Sequence, residues 1–299
     1  MKNKDITVSI VIPNLNGETI MEKNLPKVID VKNNPKNHIK EIIMVDNASI
    51  DGSVKMVTSK FPEVRVIRHK IDRGFSASVN TGTRAATGDL ILLINTDVIP
   101  NNDVLEKVLS DFEDKKVFAV SLHEIGYGPG KATFSDGYIN LVKGEESNKI
   151  QPAFYVSGGS GVFRRDAMIS IGGMDEKLLS PFYWEDIDLS YRAAKRGYKL
   201  LWDPRGVVEH HHESTISKLS QSYVQKVKER NQLLMLWKNI LSPNLFRKHV
   251  LAVAQRTLKH PGYIKIVIMA LFRLNIALSR RRQEIRETKI SDEVIFARS

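Results

Sequence analysis

Apolar residues fall into short runs rich in β-branched side chains, separated by polar stretches with helical character. Thr7 to Pro13, "TVSIVIP", reads as a strand from its Val and Ile content and the proline that stops it. Glu41 to Asn47, Val64 to His69 and Asp89 to Asp97 read the same way. Helices are predicted between them, over Glu18 to Lys32, Ser53 to Lys60 and Phe75 to Ala86. Strands apolar on both faces that alternate with helices predict an α/β fold, a mostly parallel sheet with flanking helices. Such sheets bind ligands beyond the carboxyl ends of their strands. Polar residues gather at those ends: Asn14 and Asn16, Asp46 and Asn47, Asp72 and Arg73, Asn95 and Asp97.

Past Gly126 the pattern loosens. Gly126 to Gly144 is glycine-rich and polar and predicts a loop or hairpin that could move. "AFYVSGGSGVFRRD" follows, with paired glycines that allow close backbone approach. A helix is predicted from Asp186 to Arg196, stopped by Gly197. "KLLWDPRGVVEHHH" then predicts a strand, a turn at Pro204 to Gly206 and a second strand ending in His210, His211 and His212. From Ser217 the chain is helical: Ser217 to Ile240, Leu245 to Lys259 and Tyr263 to Arg282. These divide the chain into residues 1–215 and a helical region, 216–299.

Composition narrows the chemistry. The 299 residues contain no cysteine, which excludes disulfides, thiolate metal sites and a cysteine nucleophile. The N-terminal apolar run is too short for a signal peptide and lacks its cleavage site, so a cytoplasmic protein is expected. Neither G-x-G-x-x-G after the first strand nor G-x-x-x-x-G-K-[ST] is present, which argues against a dinucleotide dehydrogenase or a P-loop ATPase. The net charge of +11 favours anionic partners and concentrates beyond Phe246, where acids are sparse until Glu284. No nucleic-acid-binding signature accompanies that charge, so nucleic acid is not an expected partner. The last helical stretch carries Lys265, Arg273 and Asn275, too polar for a membrane span. It reads equally as an interfacial basic helix at the inner face of the plasma membrane or as a face packed on the core or on a second subunit.

Four constellations carry candidate chemistry, each with an ordinary structural alternative. In "VDNASIDGS", Asp46 and Asn47 suit hydrogen bonds to a base or ribose, and equally suit a turn and helix cap. Asp97 ends an apolar strand, where a carboxylate needs a partner or a cation, unless it caps a following helix. Of the three histidines, only His210 and His212 can share a strand face, so one could ligate a metal while the rest are surface residues. In "YWEDIDLS", Glu185, Asp186 and Asp188 occupy a helix start, which favours acids through the helix dipole. Tyr183 and Trp184 could instead form an apolar or sugar-stacking wall that raises a neighbouring carboxylate's pKa towards that of a general base.

Taken in order, "SIVIPNLN", "IIMVDNAS", "LLINTDV" and "YWEDIDLSYRAAKRGYKL" resemble the family-2 inverting glycosyltransferases over about residues 5–215. The N-x-D-V pattern with a later histidine segment is similar to bacterial rhamnosyltransferases of surface-polysaccharide assembly. The resemblance implies the GT-A (nucleotide-diphospho-sugar transferase) fold with a C-terminal helical appendage. It implies a nucleoside-diphosphate sugar as donor and a glycan or polyprenyl-linked glycan as acceptor. Donor contacts would fall to Pro13, Asn14, Asn16, Asp46, Asn47, Asp72, Arg73, Asn80 and Asn95. Asp72 stands where the family commonly has Asn, and Asn95 replaces the first Asp of its D-x-D. Asp97 and His210 would hold a divalent cation, Mg2+ or Mn2+. Asp186 would be the catalytic base with Glu185 orienting the acceptor or the base, and Gly158, Gly159 and Trp184 would meet the acceptor. A non-catalytic sugar-nucleotide or glycan-binding module is the alternative, and a homo-oligomer is compatible with the helical region.

Overall fold

The structure, a computed structural model, describes residues 6–211 and 219–298. His212, Ser217 and the expected boundary at 215/216 lie outside the described residues. The first half alternates as the apolar pattern requires: β1 (Val8–Asn14), α1 (Glu18–Asn33), β2 (Ile39–Asp46), α2 (Ser53–Lys60), β3 (Val64–Arg68), α3 (Phe75–Ala85) and β4 (Leu90–Ile94). Side chains alternate between sheet faces. Ile10 and Ile12 therefore pack with Leu25 and Val28 of α1 on one face, while Val11 packs with Val79 of α3 on the other.

The fourth strand is shorter than expected. It ends at Ile94, and Asn95 to Asp97 form a turn into β5 (Val98–Pro100). Asp97 therefore precedes a strand and caps no helix. Pro100 is tolerated because β5 is an edge strand.

The remaining strands are β6 (Val117–Glu124), β7 (Gly130–Ser135), β8 (Tyr138–Lys143), β9 (Gln151–Pro152), β10 (Ser160–Arg164) and β11 (Lys199–His210). The main sheet runs β3-β2-β1-β4-β10-β6-β11-β5, with β9 also pairing on β11. β1 to β4, β6 and β11 run one way, and β5, β9 and β10 oppose them. The predicted break at Pro204 to Gly206 is only a register shift within β11. Gly126 to Gly144 does contain a hairpin, β7–β8. Its Asp136–Gly137 turn has φ of +52° and +76°, as a two-residue hairpin turn demands. The hairpin is anchored: Ala132 and Ile139 are buried, and His249 Nδ1 lies 2.8 Å from the Gly137 carbonyl.

The helices that follow are α4 (Arg165–Ser170), α5 (Glu185–Lys195), α6 (Gln221–Asn239), α7 (Pro243–Lys259), α8 (Ile264–Leu271), α9 (Leu274–Glu287) and α10 (Asp292–Ala297). Pro243 stops α6 and also opens α7, behind a Ser242 side-chain cap. The single helix expected over Tyr263 to Arg282 is instead two, bent by 65°.

The C-terminal helices share a core with the sheet half. Leu233, Leu234 and Leu236 of α6 pack with Trp184, Ile187 and Tyr191 around α5. Polar groups fasten the same seam. Asp188 accepts from Arg192 Nε at 2.8 Å, Lys238 Nζ at 2.9 Å and Asn239 Nδ2 at 2.7 Å. Lys195 Nζ lies 3.0 Å from Asp292 Oδ1, which also accepts from the Tyr191 hydroxyl at 2.7 Å. These groups are buried, and buried charges persist only when paired in this way. Asp188, read from sequence as an ordinary first-turn acid, is the hub of this network.

Candidate active site

The polar strand ends converge as the sheet topology requires. Asn14 Nδ2 donates to Asp46 Oδ1 at 3.1 Å, Ser49 Oγ at 3.2 Å and Ser53 Oγ at 3.0 Å. Its buried Oδ1 has no hydrogen-bond partner among the described residues, and Gly17 leaves room for it, since a Cβ there would lie 2.4 Å away. Asn16 adopts φ +54° and accepts from Ile50 N at 2.9 Å. Asn47 Oδ1 accepts from Arg73 N at 2.9 Å, and its Nδ2 donates to Asp72, which also receives Gly74 N at 2.8 Å. Pro13 is half-buried on β1, paired with Val45. Asn14, Asp46 and Asn47 thus brace the loops, while Asp72 and Arg73 are exposed beside them.

Asn80 sits differently. It is buried, donating to the Met174 carbonyl at 2.8 Å and accepting from Met174 N at 2.9 Å. Its amide holds the Gly172–Met174 loop.

Asp97 and His210 meet because β5 pairs antiparallel with β11, placing His210 opposite Val98. His210 Nε2 lies 3.5 Å from Asp97 Oδ2, and its Nδ1 lies 3.0 Å from Glu124 Oε2. Burial acts to lower the His210 pKa, but Asp97 and Glu124 outweigh it and leave it raised. His211 contributes its backbone N–H to the Asp97 carbonyl at 3.1 Å. Among the described residues no three His, Asp or Glu side chains form a metal-holding group. The donor set is one carboxylate and one imidazole. Asp97 and His210 would hold a divalent cation only with further ligands from a bound substrate, and Glu124 would then fix the ring as outer carboxylates do at metal-bound histidines.

A glycine strap joins this pair to the acids of α5. Asn95 N donates to the Gly159 carbonyl at 2.9 Å, and a Cβ on Gly159 would come within 2.6 Å of Asn95 Nδ2. The preceding residue, Gly158, donates its N–H to Asp186 Oδ2 at 3.2 Å, and Ile187 N donates to Asp186 Oδ1 at 2.8 Å. Asp186 is partly exposed and Glu185 buried, with Glu185 Oε2 unpartnered among the described residues. Burial raises the Asp186 pKa against those two N–H donors. Burial and then the Asp186 charge push Glu185 well above the usual carboxylate range. Both shifts are upward, and the larger falls on Glu185, the more buried of the two.

The turn before α5 is strained. Tyr183 and Trp184 both adopt left-handed φ, +69° and +76°. Trp184, expected in a stacking wall, is 4% exposed and packs in the core with α6, because the turn directs its ring inward. Tyr183 is the partly exposed aromatic. Asn231 of α6, fully buried, donates to the carbonyls of Phe182 at 2.8 Å and Tyr183 at 3.0 Å. Arg273 Nη1 binds the Leu178 and Ser180 carbonyls at 2.8 and 2.9 Å. The helical region thus holds the loop that presents Asp186.

Sequence reasoning missed Glu124, Tyr155 and Asn231. Glu124 ends β6, so the strand-end rule applied to Asp97 would have found it. Tyr155, just before the glycine strap, has its pKa pushed up to about 12 by burial and the Asp186 charge. Asn231 has no local signal, because its partners lie in a distant loop.

The sequence profile described as "Glycosyl transferase family 2" matches residues 9–172, more than half of the chain. The chain belongs to glycosyl transferase family 2. It is 29% identical over 160 residues to the pre-mycofactocin glycosyltransferase of Mycobacterium tuberculosis, covering 52% of this chain and 33% of that protein. It is 23% identical over 206 residues to the N-acetylglucosaminyl-diphospho-decaprenol L-rhamnosyltransferase of the same species, covering 57% of this chain and 66% of that one. The chain thus spans a third to two thirds of these relatives. The crystal structure of GalNAc-T7 with UDP, GalNAc and Mn2+ superposes with a TM-score of 0.69 at 15% identity, over 95% of this chain and 58% of that one. The GT-A fold expected from the motifs is the fold observed.

Proposed function

We propose that this family-2 chain is a metal-dependent inverting glycosyltransferase. It moves a sugar from a nucleoside diphosphate to a hydroxyl of a glycan or polyprenyl-linked glycan in surface-polysaccharide assembly. The observation that carries the reading is the strap: it holds Asp186 through Gly158 and Asn95 through Gly159, beside Asp97 and His210. The acid and the diphosphate end are thereby fixed relative to each other.

Each residue then has a task. The loops braced by Asn14, Asp46 and Asn47 receive the nucleoside, with Asn16, Asp72 and Arg73 at the rim. Asp97 and His210 would hold a divalent cation, which when bound neutralises charge on a leaving diphosphate. Asp186 accepts the proton of the acceptor hydroxyl as that oxygen attacks the anomeric carbon. Direct displacement inverts the centre. Glu185, protonated, keeps the site at a single negative charge. The lipid-linked acceptor is suggested by the rhamnosyltransferase relative, whose name carries a diphospho-decaprenol acceptor.

A screen of nucleoside-diphosphate sugars with Mn2+ or Mg2+, read as release of nucleoside diphosphate, tests this. Metal-dependent release from one donor class, accelerated by a glycan acceptor, is the expected result. Nucleotide binding without release from any donor would leave only a binding module.

A further inference from the structure

Helices α8 and α9 each turn one face to the protein. Ile266 and Ala270 of α8 and Ala277 and Glu284 of α9 are buried, and both helices pack on α6. Their outer faces are bare. Ile264, Ile268, Leu271 and Phe272 are exposed at spacings that put them on one side of α8, and Phe272, at the bend, is 86% exposed. On α9, Leu278 and Ile285 share the outer face with the exposed Arg282 and Arg286, and Lys265 flanks the α8 row. Glu284 is the one acid between Pro261 and Arg286, and it points inward to Arg196 at 2.8 Å.

We infer that this bent helix pair is a docking surface for an anionic lipid bilayer, lying in the interface with Phe272 leading. An apolar row flanked by basic residues is what acyl chains beneath anionic headgroups complement. By length and composition the two helices together could make a broken span, but they are bent by 65° and each has buried residues on the protein side, so we place them in the interface. No single helix among the described residues is long and apolar enough to cross a membrane. α8 has 8 residues, about 12 Å of helix against about 30 Å of hydrocarbon. One face of each helix is also committed to the core. A second copy of this chain is the poorer occupant, because a two-fold contact would set Lys265, Arg282 and Arg286 against their own kind. The inference goes beyond the proposed reaction and needs neither donor nor acceptor to be tested.

Co-sedimentation of the full chain with phosphatidylglycerol-containing vesicles, and with phosphatidylcholine vesicles as control, tests it. The chain should sediment with the anionic vesicles and be released by salt. Arg282→Glu with Arg286→Glu should weaken binding at least about tenfold, at about 1 kcal/mol per basic residue near such a surface. Leu271→Ser with Phe272→Ser should do the same. Phe272 is 86% exposed, Leu271 about half exposed at 48%, and Arg282 and Arg286 are exposed, so melting temperature and nucleotide binding should stay unchanged. Failure of the intact chain to bind anionic vesicles overturns the inference, and so does equal binding by both variants. A Phe272→Ser change that turns a dimer into a monomer while vesicle binding persists assigns the face to a second copy instead.

Discussion

Asp186 and Glu185 are adjacent carboxyl groups, yet their amide variants should differ by orders of magnitude. Glu185 is buried and its pKa is raised well above the usual carboxylate range, so on this reading Glu185→Gln replaces one neutral group with another of equal size. Asp186 accepts from N–H donors at 3.2 and 2.8 Å, which favour its charged form. General-base catalysis contributes about 10²- to 10⁴-fold, so Asp186→Asn should cost about 3–5 kcal/mol of barrier. Glu185→Gln should cost about 1 kcal/mol or less, within tenfold in rate. The assay is initial-rate release of nucleoside diphosphate at saturating donor, with nucleotide affinity as the check that each variant is folded. The raised Asp186 pKa adds a pH signature: turnover should fall on the acid side from above the ordinary carboxylate range. Stability moves the other way for Glu185. A carboxyl whose folded pKa is raised contributes stability at low pH that is lost as pH rises past its ordinary value. Glu185→Gln should therefore raise the melting temperature at neutral and alkaline pH. Equal losses for the two variants, or a Glu185→Gln loss exceeding that of Asp186→Asn, would refute the division of roles.

Asp97→Asn should abolish the gain in nucleotide affinity on adding Mn2+, and Glu124→Gln should weaken that gain about 10- to 100-fold; calorimetric titration measures both. Lys238→Met strands Asp175 and Asp188, each 2.9 Å from its ammonium, and should destabilise by about 3–5 kcal/mol in a urea melt. Asp188 has its pKa held down, burial being outweighed by Arg192 and Lys238, so its contribution is present above the ordinary aspartate value and vanishes as pH falls below it. A thermal melt that stays flat from neutral pH into that acid range would contradict this. Asn231→Leu should lower turnover more than nucleotide affinity, because the carbonyls it binds belong to the turn that presents Asp186 and not to the nucleotide loops.

The parts legible in the sequence are those set by local pattern. Val8–Asn14 and Ile39–Asp46 declared themselves because buried strands must be apolar on both faces, and the edge strand Val64–Arg68 through its β-branched residues. The strand-end polar residues were legible because parallel sheets place their ligand edge there. The boundary errors came from longer-range effects. Asp97 left the strand because β5 pairs with distant β11, and the last helix broke at Phe272 to fold α8 and α9 onto α6.

By itself the sequence determined the alternating strands and helices up to β4, the absence of cysteine chemistry and the candidate acids, since periodicity and residue type are local properties. Tertiary structure set His210 against Asp97 through strand register, while His211, the other described histidine, gives its backbone N–H to the Asp97 carbonyl. It decided that Trp184 braces the turn from inside, and that Asp188 ties α5 to α6 while its neighbour Asp186 stays partly exposed. It also made the helical region the support of the α5 turn. A side chain's burial and partners are set by segments far away in sequence, and no window of neighbouring residues contains them.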